Sequence, residues 1–339
     1  MKRTPALIII LAVVILTGLV AAFGIAGDLW RFARTPMPGD KPFCLEVERG
    51  ASMASVIRRL EDGLALEARD VLRLRVLARL NGSAVRLRAG EYRIDPGQTP
   101  ADLLRQLAEG RVVLHRITLV EGMTLEQARD VLAHHPAVRP EGFALRPAEL
   151  MAAIGQGGRV AEGHFLPETY AFARGTSDIE ILRMANEALR RELDRLWPGR
   201  QEGLPLKSPE EAVVLASVIE KETSKAGERP MIAGVFVNRL RKGMRLQTDP
   251  TVIYGLGPAF DGNLRRRDLD ADTPWNTYTR AGLPPTPIAL PSRAALHAAL
   301  HPEATRALYF VADGTGGHTF SETLDAHNRA VRRYITGDR

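Results

Sequence analysis

The spacing of hydrophobic positions changes twice along the chain. Residues 6–27 read ALIIILAVVILTGLVAAFGIAG, an apolar run with no charge and no period. Its 22 residues match the roughly 20 needed to cross a bilayer core as a helix. The run exceeds the ~7–15 apolar residues of a cleavable signal peptide, and Ala22-Phe23-Gly24 is a poor cleavage site, so an uncleaved anchor is expected. Lys2 and Arg3 precede it, and Arg31, Arg34 and Lys41 follow it. The first pair favours a cytoplasmic N-terminus; the later charges weaken that signal.

Past the anchor the apolar positions take helical spacing in three similar stretches. These are GASMASVIRRL (50–60), GQTPADLLRQL (97–107) and GMTLEQARDVL (122–132). Each opens on Gly, places Ser or Thr two residues on, and ends in Leu. Each follows an extended run: FCLEVERG, EYRIDPG or HRITLVEG. Glycine admits the turn. Ser52, Thr99 and Thr124 then cap the free N–H groups of the next helix. Pro100 suits the first helical position, and Glu126 suits a first turn. The reading is a strand–turn–helix unit used three times, either as ordinary capped helices or as a glycan-binding module.

A third pattern covers 208–224, SPEEAVVLASVIEKETS. Ser208 caps, Pro209 starts the helix, and Glu210 and Glu211 complement its dipole. Residues 212–219 are apolar all round except Ser217, which predicts a buried helix. Glu220 closes it, on the stripe of Val213, Ala216 and Ser217. Small neighbours leave room for a ligand, and a carboxyl held there serves as general acid and base. The alternative is an ion pair with Arg229 or Arg239. Glu222 is expected on the opposite side, with Val214, Leu215 and Val218. Further on, a second helix spans about 228–241 and a short one starts at Asp249-Pro250. Residues 307–313, ALYFVAD, read as a buried strand.

Composition narrows the class only modestly. The chain of 339 residues is 45% hydrophobic and 25% charged, with a formal charge of +6. The basic residues are scattered, so no nucleic-acid partner is expected. A single cysteine, Cys44, excludes an internal disulfide and is expected to be buried. No Cys/His spacing suits a metal site. Candidate substrate-binding residues are Asn238 on the second helix, Gln247, Thr248, Asp249 and Tyr254 at and on the short one, and Asn276, Thr277 and Tyr278 on a Pro/Gly-rich loop. Amides, hydroxyls and aromatic rings there suit sugar hydroxyls and N-acetyl groups. They also suit plain turn chemistry. The run EGHFLPETYAFARGTSD (162–178) carries Phe165, Tyr170 and Phe172, which are rings for sugars or for a core.

At these residues the sequence resembles a known family. LASVIEKETSKAGERPMIAGVFVNRLRKGMRLQTDPTVIYGLG, NTYTRAGLPPTPI, AALHPEATRALYFVADGTGGHTFSETLDAHN and EGHFLPETY look like the endolytic murein transglycosylase (MltG, YceG-like) family. The stretch from about 44 to 110 resembles a LysM-like module. The resemblance implies an α+β protein: a transmembrane anchor (1–27), a linker (28–42), a LysM-like glycan-binding subdomain (43–115) and a mixed α/β catalytic domain (116–339). It implies a single-pass bacterial inner-membrane protein with a periplasmic body. It further implies lytic cleavage of the MurNAc–GlcNAc β-1,4 bond, giving 1,6-anhydro-MurNAc ends and terminating nascent strands. The family's catalytic Glu falls on Glu220. Glycan strands, the inner membrane and peptidoglycan synthases are the implied partners, and no cofactor is implied. A two-carboxylate hydrolase, with Asp249 as second acid, and a non-catalytic glycan-binding scaffold are the alternatives.

Overall fold

The computed structural model describes residues 4–81 and 87–336. The chain forms two compact units, Met1–His115 with Phe172–Gly175, and Arg116–Ala171 with Thr176–Arg339.

The first unit begins with a long helix, α1 (Thr4–Arg34). It is long and apolar enough to cross a membrane, and its span-length window is exposed throughout. β1 (Phe43–Val47), α2 (Met53–Leu64), α3 (Ala68–Leu80), β2 (Gly90–Ile94) and α4 (Pro100–Glu109) follow. β1 and β2 pair antiparallel from Phe43–Ile94 to Val47–Gly90. The period of two along a strand sends Leu45, Val47, Tyr92 and Ile94 inward. There they meet Val56, Ile57 and Leu60 of α2, Leu74 of α3, and Leu103, Leu104 and Leu107 of α4. The same alternation corrects one expectation. Cys44 alternates with the inward Leu45, leaves the opposite face of the pleat, and is exposed.

The repeated capping signal is realised at all three sites. Ser52 accepts from Ser55 N, and Thr99 accepts from Asp102 N. Thr124 and Gln127 complete a reciprocal capping box. Gly50, Gly97 and Gly122, with φ of +77°, +84° and +75°, make the preceding turns.

β3 (Leu114–Thr118) pairs with β4 (Thr169–Ala173). Between them lie α5 (Leu125–Ala133) and α6 (Pro147–Ala153), and after them α7 (Asp178–Leu196). The second unit is built around α8 (Pro209–Glu222). Ser208 Oγ accepts from Glu211 N, as its pattern predicts, and every residue from Ala212 to Glu220 is buried. α9 (Arg229–Arg241), α10 (Asp249–Leu256), α11 (Arg266–Asp270) and α12 (Arg293–Leu300) follow; α9, α10 and α12 pack on α8. β5 (Tyr309–Ala312), β6 (His318–Ser321) and α13 (Leu324–Val331) come next, and a π-helical turn, Arg332–Thr336, follows them. The strand expected over 307–313 is β5, but it is half-buried rather than buried. It belongs to a two-stranded hairpin, which can cover only one of its faces. Phe165, Tyr170 and Phe172 are core side chains, so the packing reading of those rings is the correct one.

Candidate active site

Glu220 stands at the C-terminal end of α8, where the apolar helix runs out. Its side chain is 4% exposed. Arg229 Nη2, from the start of α9, donates to Oε1 at 2.7 Å. Ser292 donates twice to Oε2, through its backbone N–H at 2.9 Å and through its hydroxyl. Ser292 is also the N-cap of α12, where its hydroxyl accepts from Ala295 N. The positive end of α12 is thereby directed at the carboxylate. Of the two alternatives read from the sequence, the ion pair is formed, with Arg229, and Glu220 also lines a cleft. Arg239 is not a partner. Its guanidinium donates instead to the carbonyls of Leu308, Arg245 and Leu246.

The cleft has a volume of about 590 Å³. Its walls are the turn from Leu119 to Gly122, the segment from Pro167 to Thr169, the end of α8 with Ser224, and Arg229. A carboxylate offers about four lone-pair directions. Three donors on Glu220 leave one for a group in the cleft. Lys221 lines this cavity and also a second one of about 780 Å³. Tyr254 and Trp275 form the apolar wall of the second, with ring centroids 5.5 Å apart and planes at 68°. Trp275 is fixed by its indole N–H on Thr286 Oγ1. Glu162 joins that wall; it accepts from Leu125 N and Gly163 N, and from the Tyr254 hydroxyl. Burial pushes its carboxyl above the ordinary range against the pull of those donors.

Glu222 departs from its expected place. It lines the same cavity as Glu220. The cavity lies at the end of α8 and is lined by Glu220, Lys221, Glu222, Thr223 and Ser224 in succession, so residues on different sides of the helix reach it. Burial pushes the Glu222 carboxyl up, and the 2.6 Å hydrogen bond from Thr248 Oγ1 opposes that only in part. A carboxyl with a raised folded-state pKa contributes stability that is present below its unfolded value, ~4.3, and lost as pH rises through the folded value. Glu222→Gln is therefore expected to gain in unfolding midpoint relative to the wild type as pH rises from weakly acidic to neutral. Denaturant titrations at both pH values measure this; a pH-independent difference would show that Glu222 is not strained by its charge.

The expected substrate-binding residues divide. Tyr254 lines the second cavity. Asp249 is exposed and accepts from the Tyr278 hydroxyl at 2.6 Å, and neither is among the residues lining the Glu220 cleft. Gln247 is exposed, and its Oε1 accepts from Arg239. The remaining four bind other groups of the chain with their side chains, Thr248 through its hydroxyl to Glu222 of the Glu220 cleft. Asn276 is fully buried, and its amide donates to the carbonyls of Asp268, Leu269 and Ala271. Thr277 Oγ1 accepts from Thr248 N and bonds Thr251 Oγ1 in a buried hydroxyl cluster. Asn238 donates to the carbonyls of Thr305 and Ala307. These loops needed internal partners for their backbone groups, and these side chains supply them. Ser292, Lys221, Glu162 and Trp275 carried no candidate role in the sequence. The only local signal for Ser292 is its capping position before RAALHAAL.

The model of the YceG-like family matches residues 45–333. The endolytic murein transglycosylase of Bacillus subtilis (strain 168) is 37% identical over 180 residues, 52% of this chain and 48% of that protein. The protein of the same name from Streptococcus pneumoniae serotype 2 is 28% identical over 283 residues, 74% of this chain and 51% of its own. The chain thus spans about half the length of the curated relatives it matches. A crystal structure of a yceG-like protein from Listeria monocytogenes aligns over 86% of this chain and 99% of its own, with a TM-score of 0.53 and 30% identity.

Proposed function

The chain belongs to the YceG-like family, and from that premise we propose that it is an endolytic lytic transglycosylase of peptidoglycan with Glu220 as its single acid/base. The observation that carries the reading is the Glu220 carboxylate, gripped on one side by Arg229 and Ser292 and facing a cleft on the other. Glu220 protonates the glycosidic oxygen as the bond from MurNAc C1 to that oxygen breaks. The negative charge left on Glu220 is met by the guanidinium and the two Ser292 donors, already in place. The same carboxylate then takes the proton of the sugar's own C6 hydroxyl as that oxygen closes on C1. The product is a 1,6-anhydro end, and no water is consumed. The intramolecular nucleophile benefits from proximity, which is why one carboxyl suffices where hydrolases use two. The rings of Tyr254 and Trp275, reached along Lys221, give a strand an apolar face on which to lay sugar rings.

In this reading α1 is a single-pass inner-membrane anchor with a cytoplasmic N-terminus and a periplasmic body. The strand–helix–helix–strand order of β1, α2, α3 and β2 supports a LysM-like module that helps hold long strands. Cutting nascent strands ends their elongation, which makes peptidoglycan synthases fitting partners. A second reading rests on Glu222, whose place in the same cleft restores the two-carboxylate hydrolase. Mass spectrometry of products from purified glycan strands tests the choice. Anhydro-ended fragments are expected. Reducing ends would move the assignment to hydrolysis, and intact strands would leave only a binding role.

A further inference from the structure

α3 carries an apolar stripe that nothing among the described residues of its unit covers. Leu72, Val76 and Leu80 recur every four residues and so share one face; they are 62%, 36% and 71% exposed. The opposite face, with Val71, Leu74 and Ala78, already fills the core. Exposed Arg69, Arg75 and Arg79 border the stripe. A continuous apolar strip edged by cations is unusual on a water-facing helix and usual on one lying in a bilayer interface.

The first unit also shows where that interface falls. The last turns of α1 belong to its fold, since Leu29, Phe32 and Ala33 pack against the core. Asp28 follows the apolar run directly, and Arg73 of α3 grips its carboxylate with two donors while its guanidinium lies 5.5 Å from the Phe32 ring. Arg69 and Arg31 face the same carboxylate. With Arg73 they line a cavity of about 300 Å³ between the two helices. Trp30 is exposed at this level, with Arg34 over its ring, as residues at a membrane–water boundary commonly are. The side of α3 that bears the stripe is thus tied to the residue at which the apolar span ends.

We propose that α3 lies on the membrane surface, with Leu72, Val76 and Leu80 in the headgroup boundary and its arginines on the phosphates of anionic lipid. The inference rests on the reading of α1 as a membrane span. A single helix leaves a domain free to swivel; a second contact on the bilayer fixes the unit's height and tilt above it.

Spin labels test this in the full chain reconstituted into phosphatidylcholine vesicles with phosphatidylglycerol. In a Cys44→Ser background, single cysteines are placed by Leu72→Cys, Leu80→Cys, Arg58→Cys on the exposed face of α2, and Val14→Cys within the apolar run. The accessibility ratio of oxygen to a water-soluble nickel complex is expected to be several-fold higher at Leu72 and Leu80 than at Arg58, and highest at Val14. Arg69→Glu with Arg79→Glu is expected to lower the Leu80 ratio toward that of Arg58 and leave Val14 unchanged. Water-like ratios at Leu72 and Leu80 beside a lipid-like Val14 would overturn the inference and spare the anchor. A water-like ratio at Val14 would remove the anchor and the inference together. Shielding of Leu72 and Leu80 only when glycan strands are added would assign the stripe to glycan instead.

Discussion

Glu220→Gln is expected to reduce release of anhydro-ended fragments by at least the ~10²–10⁴-fold that general acid–base catalysis contributes. The loss should lie at or above the top of that range, because in the proposed mechanism one carboxyl serves both the protonation and the deprotonation step. The variant should fold, but not without cost. Glutamine has one acceptor oxygen, whereas Arg229 Nη2 and the Ser292 N–H both need one, at 2.7 Å and 2.9 Å. One donor is left unsatisfied, at about 1–3 kcal/mol. Activity must therefore be compared at equal folded concentration. Glu222→Gln is the control, since it alters a carboxyl of the same cavity that lacks the Arg229–Ser292 grip; a much smaller loss is expected. Full activity in Glu220→Gln would end the mechanism, and a loss confined to Glu222→Gln would transfer the acid role two residues along.

What could be read in advance was local. The caps at Ser52, Thr99, Thr124 and Ser208 depend on residues within one helical turn, so spacing suffices to find them. The burial of α8 follows from its having no polar face. Glu220 was legible as the point at which that helix turns polar. Its surroundings were not. Ser292 lies 72 positions away, and no periodicity links a cap in one helix to a carboxyl at the end of another. Arg229 and Arg239 were equivalent in sequence, and only the fold directs one to Glu220 and the other to backbone carbonyls. The partners of the expected recognition residues were hidden for a related reason. Asn276 and Thr277 have the chemistry of sugar binding, but the long loops that carry them have backbone groups to satisfy, and that demand claimed their side chains. Glu222 was misplaced because a helical wheel shows which side a residue leaves, not that a cavity wraps around the helix end and takes residues from several sides.

A double-mutant cycle on Arg229 and Glu220 is expected to show strong coupling in stability without recovery of activity. Both residues are buried, at 7% and 9% exposure. Removing one partner of a buried pair typically costs ~3–5 kcal/mol, because the other charge is left uncompensated. Two features reduce that figure for Arg229→Met. Glu220 keeps both Ser292 donors, and the substitution removes Arg229 Nε, a buried donor without a hydrogen-bond partner among the described residues. A loss toward the lower end, about 3 kcal/mol, is expected. Glu220→Gln alone should cost about 1–3 kcal/mol. In the double variant neither a stranded carboxylate nor a stranded guanidinium remains, so its loss should fall short of the sum of the single losses by about 0.5–3 kcal/mol, as for residues in direct contact. Activity should behave differently. Arg229→Met removes the cation that, in the proposed mechanism, meets the charge left on Glu220 after proton transfer, and turnover should fall even where folding is complete. The double variant, although more stable than additivity allows, should be as inactive as Glu220→Gln. Urea titrations of the four proteins give the first quantity and fragment release gives the second. Additive stabilities would mean that the 2.7 Å contact does not bind the two residues energetically, and wild-type turnover in Arg229→Met would remove the guanidinium from the mechanism.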